Sequence, residues 1–290
     1  MNGTTRRVAV VTGASAGIGK ATAAGFLRLG WSVIGTGRDP ARTAAAEAEL
    51  RGAAEPGSEV HLLRGDFCEM ADVKRIAGEI AQLTNRIDTL VNNAGGVRDQ
   101  LYRSSEGLEA TFAANHLAPF LLTRELLPIL KATAAASPPG TVRVLAVSSS
   151  GHEYCREMHW QDLNYFDEFA TGPAYCQAKL ANILFTRELN RRVAGDSIVA
   201  QSMHPGVVAS NFASHGDDMM QKHMSAQGGD APEQPARTLV WMATSEEAGV
   251  NGGRYFHDRA EVPAAAQALD DAAAKRLWEE SDRMLAAIGV

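Results

Sequence analysis

Tyr175 and Lys179, four residues apart in Tyr175-Cys176-Gln177-Ala178-Lys179, can carry out proton chemistry if they share a helix. At that spacing both side chains leave one helical face, and a neighbouring ammonium biases a phenol toward its ionised form. Alone, such a pair more often marks a surface with a snorkelling lysine. Its meaning changes because a glycine-rich stretch, Thr12-Gly13-Ala14-Ser15-Ala16-Gly17-Ile18-Gly19, lies far upstream. Glycines at such a turn let the backbone approach a phosphate closely, and the N–H groups opening the next helix receive it. The spacing is GxxxGxG rather than GxGxxG, so the general fingerprint applies here only through its strand–turn–helix context. Together the two motifs predict acid/base chemistry beside a nucleotide cofactor.

Positioning these residues requires alternating strands and helices. Strand-length apolar runs occur at Val8 to Val11, Ser32 to Gly35, Val60 to Leu63, Thr89 to Val91, Val142 to Val147 and Ile198 to Ser202. Between them lie helix-forming stretches, including Ala41 to Leu50, Val73 to Leu83, Glu109 to Leu130 and Ala178 to Val193. Continuous apolar runs are what strands buried on both faces require. The pattern predicts an α/β chain: a Rossmann-type, doubly wound parallel sheet of about seven strands with helices on both faces. One domain is expected over residues 1–290, with the tail at 263–290 forming an amphipathic helix that packs on the body or on a second subunit.

The second strand ends Gly35-Thr36-Gly37-Arg38-Asp39, where dinucleotide folds read the adenosine ribose. An acid at the tip would favour a 2′-hydroxyl and a guanidinium a 2′-phosphate. With Gly37 at the tip and Arg38 after it, NADP(H) is preferred over NAD(H). Asp39 has a competing reading as the cap of the next helix, with Pro40 in its first turn.

Composition narrows the partners. The chain has 290 residues, 45% of them hydrophobic, and a formal net charge of −6 without a dense basic run, so no nucleic-acid footprint is expected. No apolar run approaches the ~20 residues of a membrane span, and the polar start leaves no signal peptide, so a cytoplasmic protein without a membrane anchor is expected. The three cysteines, Cys68, Cys155 and Cys176, have no metal-ligand spacing, and His116, His152 and His204 share no ligand face, so no metal is expected. The histidines read as packing or backbone-bonding residues.

With these residues in view, the chain resembles the short-chain dehydrogenase/reductase family, and more narrowly its retinol-dehydrogenase-like branch. The resemblance spans Arg7 to Phe256. It rests on TGASAGIG at 12–19, Asp66 after the third strand, NNAG at 92–95, TFAANHLAPFLLT containing Asn115, VSSSGH at 147–152, YCQAKLANILFTREL at 175–189 and HPG at 204–206. It implies that Tyr175 is the general acid/base and that Lys179 lowers its pKa and holds the nicotinamide ribose. Ser149 would hydrogen-bond the substrate oxygen, and Asn115 would kink its helix and position a water on the lysine's proton relay. For the cofactor it implies Gly13, Ser15, Ala16, Gly17, Ile18 and Gly19 at the phosphates. Asp66 and Phe67 would lie at the adenine, and Asn93, Ala94 and Gly95 beside the ribose. Pro205, Gly206, Val208 and Ser210 would lie at the nicotinamide.

The interval between Ser149 and Tyr175 is long for that family. Its insert, residues 153–172, carries Tyr154, Met158, Trp160, Tyr165, Phe166 and Phe169, and residues 211–229 form the expected lid with Phe212 and several methionines. Apolar, adaptable walls predict bulky hydrophobic ketones, aldehydes or alcohols as substrates. The expected activity is an NADP-dependent alcohol dehydrogenase or carbonyl reductase. The alternatives are a catalytically silent NADP-sensing protein and a non-redox lyase or epimerase on the same fold. The resemblance further implies a homo-oligomer joined through the helices at Glu109 to Leu130 and Ala178 to Val193.

Overall fold

A computed structural model describes residues 6–208, 216–217, 221–222 and 229–290. In chain order its strands are β1 (Val8–Val11), β2 (Ser32–Gly37), β3 (Val60–Arg64), β4 (Thr89–Asn92), β5 (Val142–Val147), β6 (Ile198–Met203), β7 (Tyr255–His257) and β8 (Ala260–Glu261). They form one sheet in the order β3-β2-β1-β4-β5-β6-β7-β8. Every pairing from β3 to β7 is parallel, and β8 returns antiparallel on β7. β1 pairs with both β2 and β4, so the winding reverses beside β1 and opens a crevice beyond the strand C-termini, where ligands bind in such sheets.

The helices are α1 (Gly17–Arg28), α2 (Pro40–Gly52), α3 (Met70–Leu83), α4, α5 (Thr171–Arg192), α6 (Glu233–Thr244) and α7 (Asp271–Ala287). α4 is composite: Ala110–Phe112, a π-helical turn Ala113–Leu117, then Ala118–Ala135. Successive β1 residues face opposite ways. Val8 and Val10 join a core with Ile76 of α3, Leu121 of α4 and Leu184 of α5. Ala9 and Val11 join another with Phe26 of α1, Leu50 of α2 and Leu239 of α6. This is the doubly wound arrangement that the apolar runs predict. β7 and β8 are too short to stand out as apolar runs, and both β8 residues are exposed.

The tail packs back on the body. Asp270 caps α7 through Ala272 and Ala273 N–H, and Leu277 and Leu285 are fully buried. Trp278 meets Phe120 edge-on at 4.7 Å, and its ring stacks 5.9 Å from Phe185. α7 therefore lies across faces of α4 and α5, the helices through which a second copy is expected to dock. Among the described residues no helix is long and apolar enough to cross a membrane.

Candidate active site

The C-terminal end of β5 fixes the site. Ser148 Oγ donates to the Lys179 carbonyl at 2.7 Å, and the Val147 carbonyl accepts from Lys179 Nζ at 3.2 Å and from Asn182 Nδ2 at 3.1 Å. α5 is thus stapled to the strand end. The next residue, Ser149, is extended (φ −160°), and its Oγ accepts from Gly151 N–H at 3.0 Å. Its side chain also stands beside the Tyr175 phenol, whose ionised form it favours. Lys179 Nζ stands 5.5 Å from the centroid of the Tyr175 ring. The structure therefore brings Ser149, Tyr175 and Lys179 together at one spot, as the helical spacing and the resemblance predict.

Asn115 sits in the π turn of α4. Its Nδ2 donates to the carbonyls of Thr111 and Gly96, both at 2.7 Å, and its Oδ1 accepts from Gly96 N–H at 3.2 Å. A widened turn leaves a carbonyl without its regular partner, and here the asparagine amide satisfies one. A Cβ on Gly95 would lie 2.3 Å from Asn115 Oδ1 and 3.6 Å from Lys179 Nζ, so only glycine lets these three approach.

The nucleotide cradle is built around Thr12. Its Oγ1 accepts from the N–H groups of Asn93 and Ala94, each at 2.9 Å, while Asn93 Nδ2 donates to the Thr12 carbonyl at 2.8 Å. Gly13 and Gly17 have φ of 70° and 52°, and Ala16 caps α1 without a side-chain bond, leaving first-turn N–H groups free for a ligand. Beyond β2 and β3 a cavity of about 480 Å³ is lined by Arg38, Arg64, Gly65, Asp66, Asp72 and Arg75. Arg75 is committed to Asp72, Glu79 and the Arg64 carbonyl. The side chains of Arg38 and Arg64 have no hydrogen bond or ion pair among the described residues. A Cβ at Gly37 would come within 2.2 Å of Thr43 Oγ1 and 2.8 Å of Ser15 Cβ, so no carboxylate fits at the strand tip. Asp39 accepts from Arg42 N–H at 2.8 Å, which settles it as the cap of α2. These features fit a phosphorylated dinucleotide.

Other expected cofactor residues fall on the same edge. One oxygen of Asp66 accepts from Cys68 N–H at 2.9 Å, and Phe67 is buried. Past β6, Gly206 has φ of 75° and Val208 is bridged to Asp230. His204 stacks on His257 at 4.0 Å. Ser210 lies outside the described residues, as does most of the 211–229 segment. The insert is strapped to the body: Gln177 accepts from His159 N–H at 2.6 Å and donates to the Leu163 carbonyl at 3.0 Å. Arg103 covers Phe166, Arg276 covers Trp160, and Met158 and Leu163 enter the core, while Tyr154 is 83% exposed.

One electrostatic expectation is reversed. Sequence reasoning has Lys179 lowering the Tyr175 pKa; in the structure burial pushes the phenol up, and the neighbouring Ser149 side chain opposes this only in part. Lys179 is itself pushed down to about 8 by burial. The physical reason is geometric: Nζ lies over the ring and donates to the Val147 carbonyl, and desolvation favours the neutral form of both groups. Burial also raises the three thiols, Cys68 and Cys155 to about 11, which fits small apolar roles rather than nucleophiles.

Sequence reasoning passed over several contributors. Asn182 follows Tyr175 and Lys179 at the next i+7 position of the same helical face, a signal that was readable. Thr12 was visible only as the head of the glycine-rich motif, and Arg64, at a strand end, gave no such signal.

Comparison with known proteins agrees with this geometry. A family profile described as short chain dehydrogenase matches residues 7–158. The chain is 35% identical over 296 residues to human (Homo sapiens) retinol dehydrogenase 14, covering 96% of this chain and 86% of that protein. It is also 35% identical to mouse (Mus musculus) polyprenol dehydrogenase, covering 98% and 85%. The Pseudomonas aeruginosa RhlG/NADP active-site complex superposes with a TM-score of 0.68 at 26% identity, covering 86% of this chain and 93% of that one. With its sheet order, its glycine turn and the Ser149–Tyr175–Lys179 cluster accounted for, the chain belongs to the short-chain dehydrogenase family, in its retinol-dehydrogenase-like branch.

Proposed function

We propose that the protein is an NADP(H)-dependent oxidoreductase interconverting bulky hydrophobic ketones or aldehydes with the corresponding alcohols. The observation that carries this reading is the convergence of Ser149, Tyr175 and Lys179 at the end of β5, with Lys179 Nζ held 5.5 Å from the centroid of the Tyr175 ring. Carbonyl reduction needs a proton donor poised at an oxygen that becomes an alkoxide. Tyr175, kept protonated by burial, is that donor, and Ser149 supplies a second hydrogen bond to the same oxygen. Lys179, fixed by the Val147 carbonyl, places positive charge beneath the phenol and stabilises it once the proton has left. When bound, the nicotinamide supplies the hydride or accepts it.

The preference for NADP(H) is supported by Gly37, which excludes an acid from the ribose position, and by Arg38 and Arg64, both uncommitted beside the same cavity. An apolar substrate class is supported by the names of the relatives, retinol and polyprenol dehydrogenases. The test is a panel of bulky ketones, aldehydes and alcohols assayed with purified protein and each cofactor form. Turnover with NADPH exceeding that with NADH is expected. Tight NADPH binding without oxidation by any member of the panel would overturn the reading in favour of a silent binding protein.

A further inference from the structure

His152 lies three residues beyond Ser149 and is fully buried. Its Nε2 is 3.1 Å from Ala265 N–H, which can only donate, so that nitrogen is the acceptor and the ring proton sits on Nδ1. Nδ1 lies 2.7 Å from the Ser149 carbonyl and donates to it. That carbonyl also accepts the His152 backbone N–H at 3.1 Å, so residue 152 supplies two donors to one oxygen. Gln267 ties the same turn to the C-terminal segment by donating to the carbonyls of His152 (3.4 Å) and Cys155 (2.8 Å). The Tyr255 ring packs edge-on against the imidazole at 5.1 Å. Burial holds the imidazole neutral, the state in which one nitrogen donates and the other accepts.

We propose that His152 is a positioning residue for the reaction: its ring locks the Ser149 backbone, and the segment around Ala265 fixes the ring's tautomer and orientation. The proposal rests on the activity put forward above. Ser149 has to present Oγ to Tyr175 and to a substrate oxygen at once, so a small rotation of its backbone breaks one contact or the other. The segment before α7 thereby acts on the site without touching it.

Two isosteres separate the two ends of the ring. H152N keeps a donor where Nδ1 stood, and H152Q keeps an acceptor where Nε2 stood. H152Q is expected to lower kcat by ~10- to 100-fold, the scale of a small misplacement at a reacting centre, while NADPH affinity measured by fluorescence titration stays at the wild-type value. H152N is expected to recover most of that loss, while hydrogen exchange rises in residues 262–269. Equal losses of kcat in both variants, or unchanged exchange at 262–269 in H152N, would overturn the proposal. Wild-type protein that turns over no member of the panel sinks the assigned activity instead. The exchange measurement, made on cofactor-free protein, still decides whether the imidazole joins Ser149 to the C-terminal segment.

Discussion

Tyr175 is the residue whose protonation state decides what the site can do. With its phenol raised by burial, it holds its proton across neutral pH, which suits donation to a forming alkoxide. Tyr175→Phe should lower kcat by ~100- to 10,000-fold while leaving NADPH affinity within about twofold, measured by steady-state kinetics and titration. Retention of most of the turnover would refute the role. Lys179, pushed down to about 8, carries its charge below that pH and loses it above. The kcat/KM for ketone reduction should therefore be flat from pH 6 to 7.5 and fall as pH rises through about 8. A profile without that limb would mean the lysine's charge is immaterial.

His116, next to Asn115, offers a second test at this scale. Its Nε2 lies 2.8 Å from Ser281 Oγ, whose hydroxyl donates to the Leu277 carbonyl, so the imidazole proton is on Nε2. Burial lowers its pKa to about 3. The unfolded chain then binds a proton that the folded chain refuses between about pH 6.5 and 3, so stability is full above 6.5 and is lost as pH falls through that window. The slope from this one group approaches ~1.4 kcal/mol per pH unit. His116→Gln should flatten urea-derived stability against pH between 4 and 6.5; an unchanged slope would assign the acid sensitivity elsewhere.

At the scale of elements, what could be read from sequence was what is local and periodic. The apolar runs locate β1, β2, β4, β5 and β6 because these strands are buried on both faces, and β3, at the sheet edge, because its one inward face is apolar, while the Tyr175/Lys179 spacing places both residues on α5. Asp39 and Pro40 mark the start of α2. The π turn around Asn115 was legible only through the resemblance, because it exists to meet Gly95 and Gly96, which come from another strand end. The Tyr175 shift was misread for a related reason: helical spacing says that two side chains are neighbours, but not that one donates to a strand carbonyl and both are desolvated. Arg64 is equally long-range, since only β2–β3 pairing brings it beside Arg38. The pairing yields a prediction about the β2 edge. Arg38→Ala should weaken NADPH binding by ~10- to 100-fold, the worth of a charge-assisted hydrogen bond, and NADH binding by much less. Equal losses for both cofactors would place the 2′-phosphate elsewhere.

Across the whole molecule, chemistry and anchorage occupy opposite ends of the sheet. Ser149 follows the C-terminal end of β5, whereas Arg143 stands at its N-terminal end, only 3% exposed. Among the described residues no carboxylate pairs with it. Its guanidinium donates to three carbonyls, Gly140 at 2.9 Å, Ser245 at 2.6 Å and Met242, joining the loop before β5 to the end of α6. Burial lowers its pKa only to about 10, so it stays charged in neutral solution. Gly249 packs so close that a Cβ there would sit 2.5 Å from the Arg143 Nη2 nitrogen. Arg143→Met fills similar volume but strands those three carbonyls, and each unsatisfied acceptor costs ~1–3 kcal/mol, so a total loss of about 3–9 kcal/mol is expected. Because the anchor lies a full strand length from the site, kcat and NADPH affinity at low temperature should match the wild type while the urea midpoint falls. A fall in kcat as large as the fall in stability would show that the two ends of the sheet are coupled, and would remove the separation between holding the fold and performing the reaction.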